Sequence, residues 1–128
     1  MKQTAMIAIA LLFGIGIGAG AIEGLKAQGN AKPAYLIAEV EVTDQDAYRQ
    51  YAQQVPATLA PYNAQFLVRG GKADAKEGAP PAGRVVVIRF DSLADAEKWH
   101  DNPPYSEIAP IRQRAAKSRV FIVEGEPR

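Results

Sequence analysis

The sequence predicts a small α+β domain, and the placement of its apolar residues is what predicts it. Four apolar runs with strand-like patterning lie at Tyr35–Val42, Gln65–Val68, Arg84–Phe90 and Arg119–Val123. Helix-like segments separate the first run from the second and the third from the fourth. The order is β-α-β-β-α-β, that of a ferredoxin-like sandwich with a four-stranded antiparallel sheet. Helices cover one face of such a sheet and leave the other in need of a partner.

Each element follows from its residues. In the first strand, about Ala34–Val42, Leu36, Ala38, Val40 and Val42 alternate with Tyr35, Ile37, Glu39 and Glu41. This period-two pattern marks one apolar face and one mixed face. Thr43 is placed to cap the next helix, with Asp44, Gln45 and Asp46 in its first turn, where acids favour the helix dipole. Tyr48, Tyr51, Ala52, Val55 and Leu59 recur at helical spacing and form a face that packs on the sheet. Pro56 is expected to kink or restart that helix, because proline cannot donate to the preceding turn. Pro61-Tyr62-Asn63 ends it. The second strand covers about Ala64–Gly70. Gly70-Gly71 opens a polar loop through Gly83, whose Lys72, Asp74, Lys76 and Glu77 suit a solvated hairpin tip. The third strand, Arg84–Phe90, carries the strongest β signal, Val85-Val86-Val87-Ile88. Ser92 caps a second helix with Asp95 at its third position; Leu93, Ala96 and Trp99 form its apolar stripe, and Asn102-Pro103-Pro104 breaks it. A further helical piece from Tyr105 to about Ala116 presents Ile108 and Ile111. The last strand, Arg119–Glu124, ends at Gly125, and residues 126–128 form a tail.

The chain has 128 residues, 48% hydrophobic and 23% charged, which suits one globular domain. It has no cysteine, which excludes disulfides, a thiolate nucleophile and zinc–thiolate centres. Behind Met1-Lys2, residues Ala5–Ile22 are uncharged and small or apolar, and fall just short of a membrane span of about 20 residues. Residues 1–27 therefore read as an export signal, cut after Leu25-Lys26-Ala27. The alternative is a membrane anchor that is never cut; Gly14, Gly16, Gly18 and Gly20 weaken its helix. On either reading the folded part lies outside the cytoplasm, periplasmic if cut and tethered facing outward if not. Residues 28–33 are then a linker and residues 34–125 the domain. Loss of Lys2, Lys26 and Glu23 leaves it formally neutral, which disfavours nucleic acid as a partner. A domain of this size buries a modest core, and a second subunit on the open sheet face would enlarge it.

Several stretches together resemble one family: Tyr35-Leu36-Ile37-Ala38, Val42-Thr43-Asp44, Tyr48 with Tyr51, Arg69-Gly70-Gly71, Ile88-Arg89-Phe90-Asp91-Ser92, Ala96 with Trp99, Tyr105, Pro110 with Arg112, and Val123-Glu124-Gly125. Spread over nearly all of residues 33–125, this ordered set resembles the domain of unknown function 1330 (DUF1330) family. The resemblance implies a dimeric α/β barrel, a homodimer in which two ferredoxin-like sheets face each other. Relatives in the wider superfamily include cofactor-free monooxygenases, muconolactone isomerase-like proteins, haem enzymes and ligand-binding regulatory domains. The family itself has no established activity and supplies no catalytic residue.

Strand parity nominates the candidate site. With Leu36, Ala38, Val40 and Val42 toward the helices, Tyr35, Ile37, Glu39 and Glu41 face the open side. With Val86, Ile88 and Phe90 toward the helices, Val85, Val87 and Arg89 do the same, and one register of the second strand adds Leu67 and Arg69. Charges kept in such a partly dry place serve pairing, dimer register or a ligand. Structurally, they form a Glu–Arg pair within or between subunits. As a site, Arg69 or Arg89 would grip a carboxylate or enolate, Glu39 would accept a proton and Tyr35 would donate one. His100, the only histidine, is a second catalytic candidate, although its place beside Asp101-Asn102 at a helix end suits an exposed residue. One histidine without further ligands gives no expectation of a metal or cofactor. Tyr48, Tyr51 and Tyr62 read as packing residues. Tyr105 and Arg112 share a helix face and suit a barrel mouth or, preferably, a subunit contact. Three functions fit these residues: small-molecule binding in the barrel, a cofactor-independent monooxygenase- or isomerase-like enzyme, and a structural dimer without a ligand.

Overall fold

A computed structural model describes residues 31–128, and the folded unit spans Lys32–Glu126. The expected export signal, residues 1–27, lies outside the described residues, as does the first half of the linker, residues 28–30. The chain forms β1 (Ala34–Val42), α1 (Gln45–Leu59), a 3-10 turn (Ala60–Tyr62), β2 (Gln65–Arg69), β3 (Arg84–Phe90), α2 (Leu93–Asp101), α3 (Tyr105–Ala115) and β4 (Ala116–Glu124). The strands make one antiparallel sheet in the order β2-β3-β1-β4, the ferredoxin-like α+β arrangement. β4 starts at Ala116 rather than Arg119 because β1 pairs with it throughout, from Ala34↔Glu124 to Val42↔Ala116. Lys117 and Ser118 are exposed there, so backbone pairing rather than apolar patterning makes them strand.

The two faces of the sheet differ as the alternation requires. Leu36, Ala38, Val40, Val86, Ile88 and Phe90 are buried in one cluster with residues of all three helices, among them Tyr51, Val55, Trp99 and Tyr105. On the reverse face Tyr35, Ile37, Glu39, Val85 and Val87 are only half-buried, and Phe121 and Val123 are 43% and 45% exposed. Burying a side chain the size of Phe or Val is worth about 1.5–3 kcal/mol, so this uncovered face withholds a sizeable stabilisation from the isolated chain.

Local signals set the helix boundaries. Asp44, one residue later than expected, caps α1 by accepting from the Ala47 amide at 3.1 Å. The Thr43 and Asp44 amides both donate to the Ala115 carbonyl, at 2.8 and 3.0 Å, which ties the start of α1 to the end of α3. Ser92 caps α2 as expected, accepting from the Asp95 amide at 3.1 Å. α1 runs through Pro56 without restarting; the packing of Tyr48, Tyr51, Val55 and Leu59 on the sheet outweighs one missing backbone bond. Among the described residues, no helix is long and apolar enough to cross a membrane.

The 70–83 connection is exposed along nearly its whole length and rejoins the sheet at Gly83. Gly83 has φ +76°, and a side chain there would strike the Val40 carbonyl. Gly83→Ala should therefore destabilise the domain by about 2 kcal/mol or more, a fall of roughly 10 °C in Tm for a domain of this size. A thermal melt followed by circular dichroism checks this, and an unchanged Tm would refute the close approach of the loop to β1.

Candidate functional site

The register of β2 decides which charges meet. Phe66 lies opposite Ile88, Val68 opposite Val87 and Arg69 opposite Val86, with a shift between Phe66 and Val68. Leu67 is the extra residue of a bulge. Residues paired across strands share a face, so Val68 falls on the open face and Arg69 on the helix face. The expectation that Arg69 joins Glu39 and Arg89 is thereby corrected: the bulge moves it to the other side of the sheet.

There Arg69 enters a cleft between the sheet and the helices, with about 510 Å³ of empty space, part of it open to solvent. Its walls are apolar and aromatic, including Leu36, Val55, Phe66, Ile88 and Trp99, and Arg84 and Arg112 also reach it. Each arginine is placed by a different local feature. Arg69, at the exposed rim, lies over Phe66, its guanidinium carbon 4.3 Å from the ring centre, and its Nη2 donates to the Ala52 carbonyl at 3.2 Å. That carbonyl would ordinarily accept from the residue four positions later, but Pro56 has no N–H to give. Arg84 lies 5.3 Å from the Tyr48 ring centre, and its Nη2 is only 2.6 Å from where a Cβ on Gly70 would sit. Its Nε is buried without a hydrogen-bond partner. Arg112, from α3, is 6% exposed and lies 5.9 Å from the Tyr51 ring centre.

Aromatic side chains complete the cleft. The Tyr51 and Tyr105 hydroxyls are 2.7 Å apart. Trp99 stacks on Tyr105 with ring centres 3.8 Å apart, and its indole N–H donates to Thr58 Oγ1 at 3.0 Å. Thr58 in turn donates to the Val55 carbonyl at 2.7 Å, so the indole is held by a hydrogen-bonded chain anchored in α1.

These surroundings keep the phenols neutral and the guanidinium charged. Burial pushes Tyr51 far above the ordinary tyrosine range, the Tyr105 hydroxyl adds to the rise, and Arg112 opposes it. Tyr48 is raised mainly by burial, against the pull of Arg84, Arg112 and Arg69. For Arg112 burial alone would disfavour the charge, but the Tyr105 and Tyr51 hydroxyls more than offset it and its pKa is raised. Ion pairs among the described residues engage Arg49, Lys76, Arg89 and Arg119, and none engages the three cleft arginines. Among the described residues, no Asp, Glu or His lines the cleft. It is therefore a positively charged, largely apolar space.

The other candidates lie elsewhere. Glu39 accepts from Arg119, at 2.6 Å from Nη2 and 2.7 Å from Nε, and not from Arg69 or Arg89. Arg89 donates to Asp91 at 3.0 Å. Tyr35 sits between Arg89 and Val123 of the neighbouring strands. Tyr35, Glu39 and Arg89 thus share the open face, and Arg69 is separated from them. His100 is half-exposed at the end of α2, pairs with Asp101 at 2.8 Å and does not line the cleft. Among the described residues no three His, Cys, Asp or Glu side chains cluster as a metal centre would need. Tyr105 and Arg112, expected at a subunit contact or barrel mouth, are instead buried on the helix face. Sequence reasoning passed over Arg84, although its parity with Val86 and Ile88 places it on the buried side.

The family model described as Domain of unknown function (DUF1330) matches residues 33–126. The chain belongs to the DUF1330 family. No curated protein matches it. Solved structures place this DUF1330 chain among ferredoxin-like domains. A protein of unknown function from Rhodopseudomonas palustris is similar with a TM-score of 0.58 at 18% identity, over 81% of this chain and 90% of that one. A dimeric ferredoxin-like protein of unknown function from Thermobifida fusca has a TM-score of 0.51 at 17% identity, over 75% and 92%. SnoaB, a cofactor-independent oxygenase from Streptomyces nogalater, has a TM-score of 0.52 at 10% identity, over 73% and 92%. At these identities the likeness is one of fold.

The raised pKa of Tyr51 carries a stability consequence with a definite sign. Its protonated form is favoured in the folded state, so the contribution is complete below the ordinary tyrosine pKa of about 10 and is lost as pH rises beyond it. In a spectrophotometric alkaline titration, Tyr51→Phe should leave the phenolate absorbance unchanged until the domain unfolds, and lower it only afterwards. A phenolate step missing from the folded variant would refute the burial of Tyr51.

Proposed function

We propose that this DUF1330 domain binds a small organic molecule in the cleft of each subunit, as an exported homodimer joined through its open sheet faces. One observation carries the binding reading: the cleft is walled by apolar and aromatic side chains among which a few polar groups converge. Small-molecule sites have this composition. A second reading is an enzyme acting without a cofactor, the description borne by SnoaB. The Tyr51–Tyr105 hydroxyl pair beside Arg112 favours it, since such donors stabilise a developing oxyanion. Binding takes precedence because the described residues of the lining offer no carboxylate or imidazole base, and Tyr51, with its raised pKa, donates rather than abstracts a proton.

Assembly through the open face is supported by what that face exposes. Val68, Phe121 and Val123 are apolar side chains that it leaves uncovered, and the similar Thermobifida fusca protein is described as dimeric. The Glu39–Arg119 pair and Arg89 would set the register of two such faces and exclude poorly matched partners. Export rests on the sequence of residues 1–27 alone.

Native mass spectrometry of the protein purified from its own cells tests all three parts. The expected spectrum is a dimer of chains cut after Ala27, with one reproducible extra mass per subunit. A bare dimer that captures no added compound would favour a purely structural role, and a bare monomer would refute the assembly. Phe121→Glu should convert the dimer to a folded monomer, read as halved mass with an unchanged circular dichroism spectrum; a variant that stays dimeric would show that the open face is not the interface.

A further inference from the structure

We infer that the cleft takes a carboxylate with an apolar body, its charge gripped by Arg84 and Arg112 with Arg69 at the entrance. The inference rests on the cleft being a ligand site, and it names the chemistry of the ligand. Withdrawing a cation from water costs several kcal/mol unless a partner replaces the lost solvation. Arg112 is buried with the Tyr51 and Tyr105 hydroxyls as partners but no ion pair, and Arg84 keeps a buried Nε with no acceptor, although four other cations of the described residues, Arg49, Lys76, Arg89 and Arg119, have found carboxylates. The protein supplies the missing anion to neither.

The three guanidinium groups converge on one place. Arg84 stacks over Tyr48, Arg112 lies against Tyr51, and those two rings are 5.6 Å apart. The Tyr48 phenol feels the charge of Arg84, Arg112 and Arg69 together. Their positions are also built into the backbone: Pro56 frees the carbonyl that holds Arg69, and Gly70 leaves the room that Arg84 fills.

The planar guanidinium fork pairs with carboxylate and phosphate alike through two parallel hydrogen bonds, so the walls of the cleft decide between them. The described lining is regular strand and helix rather than a turn whose successive backbone N–H groups form a cradle of the kind that seats phosphate, and this favours carboxylate. The remaining lining of Leu36, Val55, Phe66 and the Trp99–Tyr105 stack accepts an apolar or aromatic body.

The test uses the whole purified protein. Trp99 is its only tryptophan and lines the cleft, so its emission reports the site directly. Benzoate, hexanoate, benzyl alcohol and inorganic phosphate are titrated separately, with Trp99 fluorescence and Tm as readouts. Benzoate or hexanoate should change the emission saturably and raise Tm, while benzyl alcohol and phosphate should not. Arg84→Met should weaken the carboxylate response by about tenfold or more, as loss of a charge-assisted hydrogen bond implies, and should raise the ligand-free Tm because an unpaired buried group is gone. Arg84→Lys, which keeps the charge without the fork, should weaken it less, and serves if the Met variant does not fold. Benzyl alcohol binding as tightly as benzoate would leave a ligand site but overturn the charge assignment. Phosphate acting as well as benzoate would overturn the apolar body. A folded Arg84→Met variant with a lower Tm and an undiminished response would make Arg84 structural. Silence from all four probes would overturn both the inference and the site beneath it.

Discussion

Side chains alternate between the two faces of a pleated sheet, and all three helices of this domain pack on one of them. That asymmetry governs the rest. A residue on one parity of β1 or β3 enters the core or the cleft; its neighbour on the other parity is left on a face that only another molecule can cover. Leu36 and Ile37, adjacent in the chain, have different fates for this reason: the first is buried beneath the helices and the second waits half-exposed on the reverse side. The cleft and the open apolar face are consequently back to back, separated by one thickness of sheet.

Within the buried side, irregular backbone places the charges. Regular strands and helices satisfy their own amides and carbonyls and offer nothing to a guanidinium. The bulge at Leu67 turns Arg69 inward, and Pro56 leaves it a carbonyl to hold. Gly70, with φ +73°, lets the Arg84 side chain pass where a Cβ would stand. Each departure weakens local structure slightly, and each positions a cation at the same cleft. Such departures are common where function is set against stability.

The contrast between the two sets of charges is physical. Arg119 is largely solvated where it meets Glu39, and an exposed pair of that kind is worth about 0–1 kcal/mol. It therefore adds little to the stability of the fold. Arg112 is withdrawn from water without such a partner, and the Tyr105 and Tyr51 hydroxyls more than offset the cost to its charge; Arg84 keeps a buried Nε with no acceptor. The cleft is thereby positively charged, and its described lining, which holds three arginines and no carboxylate or imidazole, is better suited to holding an anion than to generating one.

The sequence by itself determined the order of elements, the faces of β1 and β3, the cap at Ser92 and the stripe that carries Trp99, because these depend on periodicity and on near neighbours in the chain. It also carried the family resemblance, which is a property of the ordered residues alone. Long-range pairing decided the rest. Gln65–Arg69 has no clean alternation, so only its hydrogen bonding to β3 reveals the bulge that moves Arg69 across the sheet. β4 gained Ala116–Ser118 from the reach of β1. Pro56 stayed within a continuous helix because packing compensated for the lost bond. Arg84 and Arg112 lie on different elements, and neither spacing nor composition brings them together; the tertiary fold does so by laying α1 and α3 over the same strands, and a cleft exists only where those separate parts of the chain converge.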